Sequence, residues 1–172
     1  MCRGIYEIVK EKMNLTDKNL RLRPAKLPED IITALPWYQD AEVLYFSEGK
    51  GVSPYDYKIV ERMYRFFVEK CEFYIIEIRT KNKWIPIGDA GLCRDSLPIV
   101  IGRKDKRSKG VGKRVLHMLI ERARALGWEE LQVSVYTYNE RARRLYEGAG
   151  FDLIGIKRDK QGNERWRFCL RL

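Results

Sequence analysis

The sequence predicts an α+β domain. Three observations carry that prediction: two long segments with apolar residues at helical spacing, seven short runs read as strands, most with an alternating or continuous apolar pattern, and the order in which they follow one another. A short helix is expected near Ile5 to Met13, then a first strand over Leu20 to Pro24, where apolar and basic residues alternate. Pro28 to about Phe46 reads as a helical stretch broken at Pro36. Tyr55 to Glu69 is a clearer helix, with Val60, Met63, Tyr64, Phe67 and Val68 on one face. Phe73 to Ile78, Trp84 to Cys93 and the apolar run Leu97 to Gly102 form a three-strand meander around a turn at Lys81 to Lys83.

Gly110 to Leu126 aligns Val111, Val115, Leu119, Ala123 and Leu126 on one helical face and stops at Gly127. Leu131 to Tyr136 is β-rich, Asn139 suits the N-cap of a helix over Glu140 to Glu147, and Gly148 and Gly150 end that helix. A hairpin over about Asp152 to Lys157 and Arg165 to Leu172 closes the chain. Strand, helix and strand cross over near the middle, and the helix that opens the crossover points its N-terminus at solvent, a natural anion site.

A chain of 172 residues suits one domain with its own core, here read as 1–172. With 45% hydrophobic and 34% charged residues it is neither disordered nor a membrane protein. No run approaches the ~20 apolar residues of a spanning helix, and MCRGIYEIVKEK lacks a secretory core, so a cytoplasmic setting is expected. Cys2, Cys71, Cys93 and Cys169 are widely spaced and His117 is the only histidine, which predicts free thiols and no metal site. The formal charge of +10 calls for an anionic partner: a phosphorylated cofactor, an acidic substrate or nucleic acid.

The basic run 103–114 contains the loop Lys104-Asp105-Lys106-Arg107-Ser108-Lys109-Gly110-Val111-Gly112-Lys113-Arg114. Its glycines open a helix, so unpaired N–H groups and the positive dipole end converge there. A P-loop would need glycine at Arg107 and Ser or Thr at Arg114, and a dinucleotide fingerprint would need glycine or alanine at Val115; neither is present. Taken alone, the glycines fit an ordinary turn with a solvated charge run better than an anion site.

Arg107-Ser108-Lys109-Gly110-Val111-Gly112 resembles the R/Q-x-x-G-x-G/A signature of the general-control-related N-acetyltransferase (GNAT) superfamily. Asn139 to Tyr146, followed by Gly150-Phe151, resembles its N-x-x-A-x-x-x-Y-x-x-x-G-F segment. The resemblance implies a mixed, mostly antiparallel sheet of about seven strands flanked by about four helices, and acetyl-CoA as cofactor. It implies that the N–H groups of Arg107, Ser108, Lys109, Gly110, Val111 and Gly112 hold the pyrophosphate and that the main chain of Ile101 and Gly102 pairs with pantetheine. Asn139 and Tyr146 would face the thioester, and Lys109, Lys113 and Arg143 would reach phosphate or remain solvated.

In such enzymes an amine attacks the thioester directly, so the protein aligns the reactants and manages protons. Tyr146 suits the donor that protonates the leaving thiolate; packing beside Leu145 is the competing account. Many relatives carry a basic glutamate where this chain has Leu97-Pro98-Ile99-Val100-Ile101, which leaves Asp89, Asp95, Glu48 and Tyr138 as candidates. Trp37-Tyr38-Gln39-Asp40-Ala41-Glu42-Val43 and Ile85-Pro86-Ile87-Gly88 resemble the branch of ribosomal-protein N-terminal, spermidine and aminoglycoside acetyltransferases. That similarity implies a small amine or peptide acceptor bound within 30–53, with Asp40, Glu42 and Glu48 available to a cation. A different class, a catalytically silent basic module on RNA or the ribosome, fits the charge but shows no base-stacking motif. The protein is expected to be a monomer or a homodimer.

Overall fold

The computed structural model describes residues 14–172, so the helix expected near Ile5 to Met13 lies outside the described residues. Strand β1 (Leu15–Asp17) turns through Lys18 into β2 (Leu20–Pro24). Helix α1 (Glu29–Ala34), a 3-10 turn (Trp37–Gln39), α2 (Ala41–Ser47) and α3 (Tyr57–Lys70) follow. Next come β3 (Glu72–Thr80), β4 (Lys83–Leu92), β5 (Ile99–Ile101), a 3-10 turn (Lys104–Lys106) and α4 (Val111–Ala125). The chain ends with β6 (Glu130–Tyr136), α5 (Glu140–Glu147), β7 (Asp152–Arg158) and β8 (Glu164–Arg171). The α+β class stands, with eight strands and five α-helices among the described residues.

The strands form two sheets, β1-β2-β3-β4-β5 and β6-β8-β7, in which every pairing is antiparallel. Strands β5 and β6 are therefore not hydrogen-bonded to each other, and the sheet parts between them. Alternation along β3 serves two cores at once. Phe73 and Ile75 pack with α1, α2, α3 and Val100 on one face, while Tyr74 and Ile76 pack with α4 on the other. The second core reaches across to Leu131, Val133, Val135 and Phe168 of the smaller sheet, so α4 joins the two sheets.

Strand β5 is shorter than the apolar run around it. Pro98 has no N–H to contribute, and at the far end Trp37 lies where a Gly102 side chain would go: a Cβ there would come within 2.1 Å of the indole. The thiols expected to be free are corrected at two positions, because Cys71 and Cys93 form a disulfide with Cα atoms 4.6 Å apart. Cys71 directly precedes β3 and Cys93 directly follows β4, and the register Glu72↔Leu92 sets them opposite each other. Cys169 is free, and Cys2 lies outside the described residues. Among the described residues no helix is long and apolar enough to cross a membrane, and no cluster of metal-ligating side chains occurs.

Candidate cofactor cleft and its clamp

A cleft of about 300 Å³ opens where the two sheets part. Val43, Phe46 and Ser47 of α2 line one side, β5 and the loop up to Lys113 the floor, and Asn139, Arg141, Ala142 and Leu145 the other side. Ser108 and Gly110 both take positive φ, +57° and +76°, which turns the chain sharply into α4. Glycine adopts that conformation without cost, whereas for the exposed Ser108 it costs on the order of 1–3 kcal/mol.

The N–H groups of Ser108, Lys109, Gly110, Val111, Gly112 and Lys113 make no hydrogen bond to another described residue. They sit at the positive end of a fifteen-residue helix, with Lys106 and Lys113 on the wall of the cleft. This donor set fits a pyrophosphate. The Arg107 N–H differs from its neighbours in donating to Lys104 O at 3.3 Å.

The Arg107 side chain is the clamp of the site rather than a wall cation. It is 7% exposed and donates through Nε to Ile101 O (2.9 Å) and through Nη2 to Gly102 O (2.7 Å). It also pairs with Glu42 and Asp40, each at 2.8 Å. Asp40 in turn caps α2 by accepting from Glu42 N, and Arg107 with these N–H bonds holds its carboxylate below the usual range against a burial penalty. Asp40 and Glu42, offered by the sequence as sites for a cationic amine, are thus engaged in fixing α2 to the loop. Of the Ile101 and Gly102 main chain expected to pair with pantetheine, both carbonyls already accept from Arg107.

Other predicted residues separate in the same way. Asn139 lines the cleft, caps α5 through Ala142 N (3.0 Å) and donates to Phe46 O (3.4 Å), so it fixes the gap between α2 and α5. Lys113 lines the cleft; Lys109 is exposed outside it. Arg143 pairs with Glu147 and lies over the Trp166 ring, away from the cleft wall. Tyr146 is 6% exposed, packs edge-on against Phe151, and donates its hydroxyl to Leu97 O at 3.0 Å. Burial pushes its phenol well above the ordinary tyrosine range. Sequence reading missed Arg141 and Ser47; the Ser47 Oγ is buried against the cleft without a partner.

Of the base candidates, Asp95 is an exposed turn residue, and Tyr138 donates to Tyr45 O with its phenol pushed up to about 12, mainly by burial. Asp89 is 1% exposed and accepts from Tyr38 (3.0 Å) and Tyr64 (2.6 Å). Burial raises its carboxyl to about 7 despite those bonds. Glu48 accepts from Tyr55 at 2.9 Å.

A model of the family described as acetyltransferase (GNAT) domain matches residues 19–152, and the chain belongs to that family. The chain spans about a third of the length of the curated relatives it matches. One is an uncharacterized N-acetyltransferase of Bacillus subtilis, YdgE, 42% identical over 55 residues, which are 32% of this chain and 35% of the relative. Among solved structures, a domain from Methanocaldococcus jannaschii superposes with a TM-score of 0.77 at 17% identity, covering 91% of this chain and 100% of that one. Spermidine N-acetyltransferase from Vibrio cholerae, solved with CoA and spermine, superposes with a TM-score of 0.72 at 16% identity, covering 90% and 96%. At those identities the structures establish the shared fold.

Proposed function

We propose that the protein is an acetyl-CoA-dependent N-acetyltransferase acting on a primary amine of a small molecule or a peptide. The observation that carries this reading is the row of unpaired N–H groups from Ser108 to Lys113 at the start of α4, facing a cleft between two parted strands. The family assignment and the CoA present in the Vibrio cholerae structure support the choice of ligand.

Bound acetyl-CoA would supply an activated thioester. The chain's own contributions are electrostatic and geometric. Ser108 to Lys113 neutralise the pyrophosphate, with Lys106 and Lys113 adding positive charge. Arg107 holds β5 and α2 at a fixed separation, and Asn139 holds α5 to α2. Tyr146 is the proposed proton donor to the leaving thiolate, a role that requires its bond to Leu97 O to be released.

Thermal melting with acetyl-CoA tests the reading. At 100 times its dissociation constant a ligand adds about 2.7 kcal/mol of stability. Gly112→Asp places a carboxylate among the donors, while a Cβ at Gly112 meets only Leu145 Cδ2, at an ordinary 3.7 Å. The variant should fold, and should lose the acetyl-CoA shift. No shift in the wild type at saturating acetyl-CoA would defeat the proposal. Thiol release against spermidine, an aminoglycoside and peptide N-termini then identifies the acceptor class.

A further inference from the structure

Three carboxylates are buried among the described residues: Asp30, Glu77 and Asp89. Asp30 and Glu77 share Arg23, and Glu77 also holds Arg21. Asp89 has only tyrosines. It lies on β4 opposite Val100, and Val100 is part of the cleft floor. Tyr38, which donates to it, stacks on Tyr55 with ring centroids 6.0 Å apart, and Tyr55 donates to Glu48. Glu48 directly follows Ser47 on the cleft wall, and no cation pairs with it among the described residues.

A buried carboxylate without a cation is costly, and such groups concentrate where proton chemistry is performed. We propose that Glu48 and Asp89 form one acidic unit for the acceptor amine, in which Glu48 meets the ammonium and takes its proton while Asp89 is a positioning residue that sets the unit's charge. The inference rests on the acetyltransferase reading.

The ammonium gives one proton to the Glu48 carboxylate, and the freed lone pair forms the N–C bond to the thioester carbonyl. The C–S bond breaks with its electrons on sulfur; Tyr146 gives that sulfur its proton, and the second amine proton restores the phenol. The ionisable groups facing the unit are Tyr38 on the 3-10 turn, Tyr55 in the loop before α3, Tyr64 on α3 and Tyr136 on β6; Asp30 of α1 acts on Tyr64. The Glu48 charge disfavours ionised Asp89, whereas the Tyr38 bond favours it. Below neutrality the unit therefore carries one negative charge fewer than above it, and kcat/KM for the amine should rise through about pH 7.

The experiment combines that profile with carboxyl ¹³C NMR titration of the full chain. Glu48→Gln should lower kcat/KM by roughly 10²–10⁴-fold and move the Asp89 midpoint to lower pH. Asp89→Asn should flatten the rise near neutrality with a smaller loss of rate. Tyr38→Phe, which keeps both carboxylates should Asp89→Asn fail to fold, should move the Asp89 midpoint and the rising limb together to higher pH. An Asp89→Asn or Tyr38→Phe profile superimposable on the wild type, or an Asp89 titration unmoved in Glu48→Gln, overturns the coupling. Acetyl-CoA melting of the same variants reads the other premise separately: a retained shift with unchanged profiles sinks only this inference, and no shift in the wild type sinks the acetyltransferase reading itself.

Discussion

Asp30 and Glu77 are almost as deeply buried as Asp89, and all three serve the same five-stranded sheet, yet their surroundings oppose each other. At the first site Arg23 reaches both carboxylates, and Lys26 N adds a further donor to Asp30. Those bonds raise the Arg23 guanidinium above its already high ordinary range, so it stays charged at any working pH. At the second site two phenols stand where a guanidinium could have stood, and the carboxyl titrates near neutrality. The difference separates scaffold from candidate chemistry. A compensated charge fixes α1 to β2 and β3, whereas an uncompensated one is a standing cost that geometry alone does not require.

The largest expected effect lies at the compensated site. Arg23→Met removes both side-chain donors that reach the Asp30 carboxylate and one of the two that reach Glu77. Breaking a buried pair from one side costs about 3–5 kcal/mol, because a charge is left without its partner. Urea unfolding should show that loss with an unchanged denaturant slope. A loss below about 1 kcal/mol would mean that Lys26 N and Arg21 already suffice, and the contrast between the two sites would weaken.

The next largest effect lies at the uncompensated site. The Asp89 carboxyl sits near 7 when folded against 3.8 as its ordinary value, so the folded chain binds more protons between about pH 4 and 7. This group's stabilisation is complete below pH 4 and is lost as pH rises toward 7. That difference sets a ceiling of about 4 kcal/mol, and relaxation around the site makes about 2–3 kcal/mol the expected drop. Asp89→Asn should remove that part of the slope. Stability measured from pH 4.5 to 7.5 that is equally steep in both proteins would show that Asp89 is compensated after all.

Sequence alone reveals the periodic elements and the loop, and it fails where the signal lies between elements. The α4 stripe, the Gly110 turn and the Asn139 cap are local, set by spacing and by a single residue's conformation, and all three are where the sequence puts them. Strand β1 has only three residues, too few for a period. The Cys71–Cys93 bond depends on the β3–β4 register, and Arg107's four acceptors lie at the end of β5 and the start of α2, 65 and 67 residues away for the two acids. Asp89 did leave a signal: it interrupts the otherwise apolar Ile85 to Leu92 run, where a carboxylate has no reason to sit unless something answers it. What answers it, two tyrosines from separate helical turns, appears only in three dimensions.

The smallest expected effect falls on Tyr146, and it divides two roles that a single hydroxyl can play. Its bond to Leu97 O is buried, and Tyr146→Phe keeps the ring and its contact with Phe151. Losing that bond should cost about 1–2 kcal/mol of stability and lower the melting temperature by a few degrees, whatever the residue does in turnover. A purely structural hydroxyl leaves kcat at a temperature well below melting unchanged. A proton donor to the leaving thiolate lowers kcat there, and the loss should shrink when the acyl donor carries a more acidic thiol, because such a sulfur leaves without needing the proton. Equal rates for wild type and Tyr146→Phe on the natural thioester would assign the hydroxyl to Leu97 alone. The proton for sulfur would then have to come from the amine itself, which leaves the remaining proton chemistry to Glu48 and Asp89.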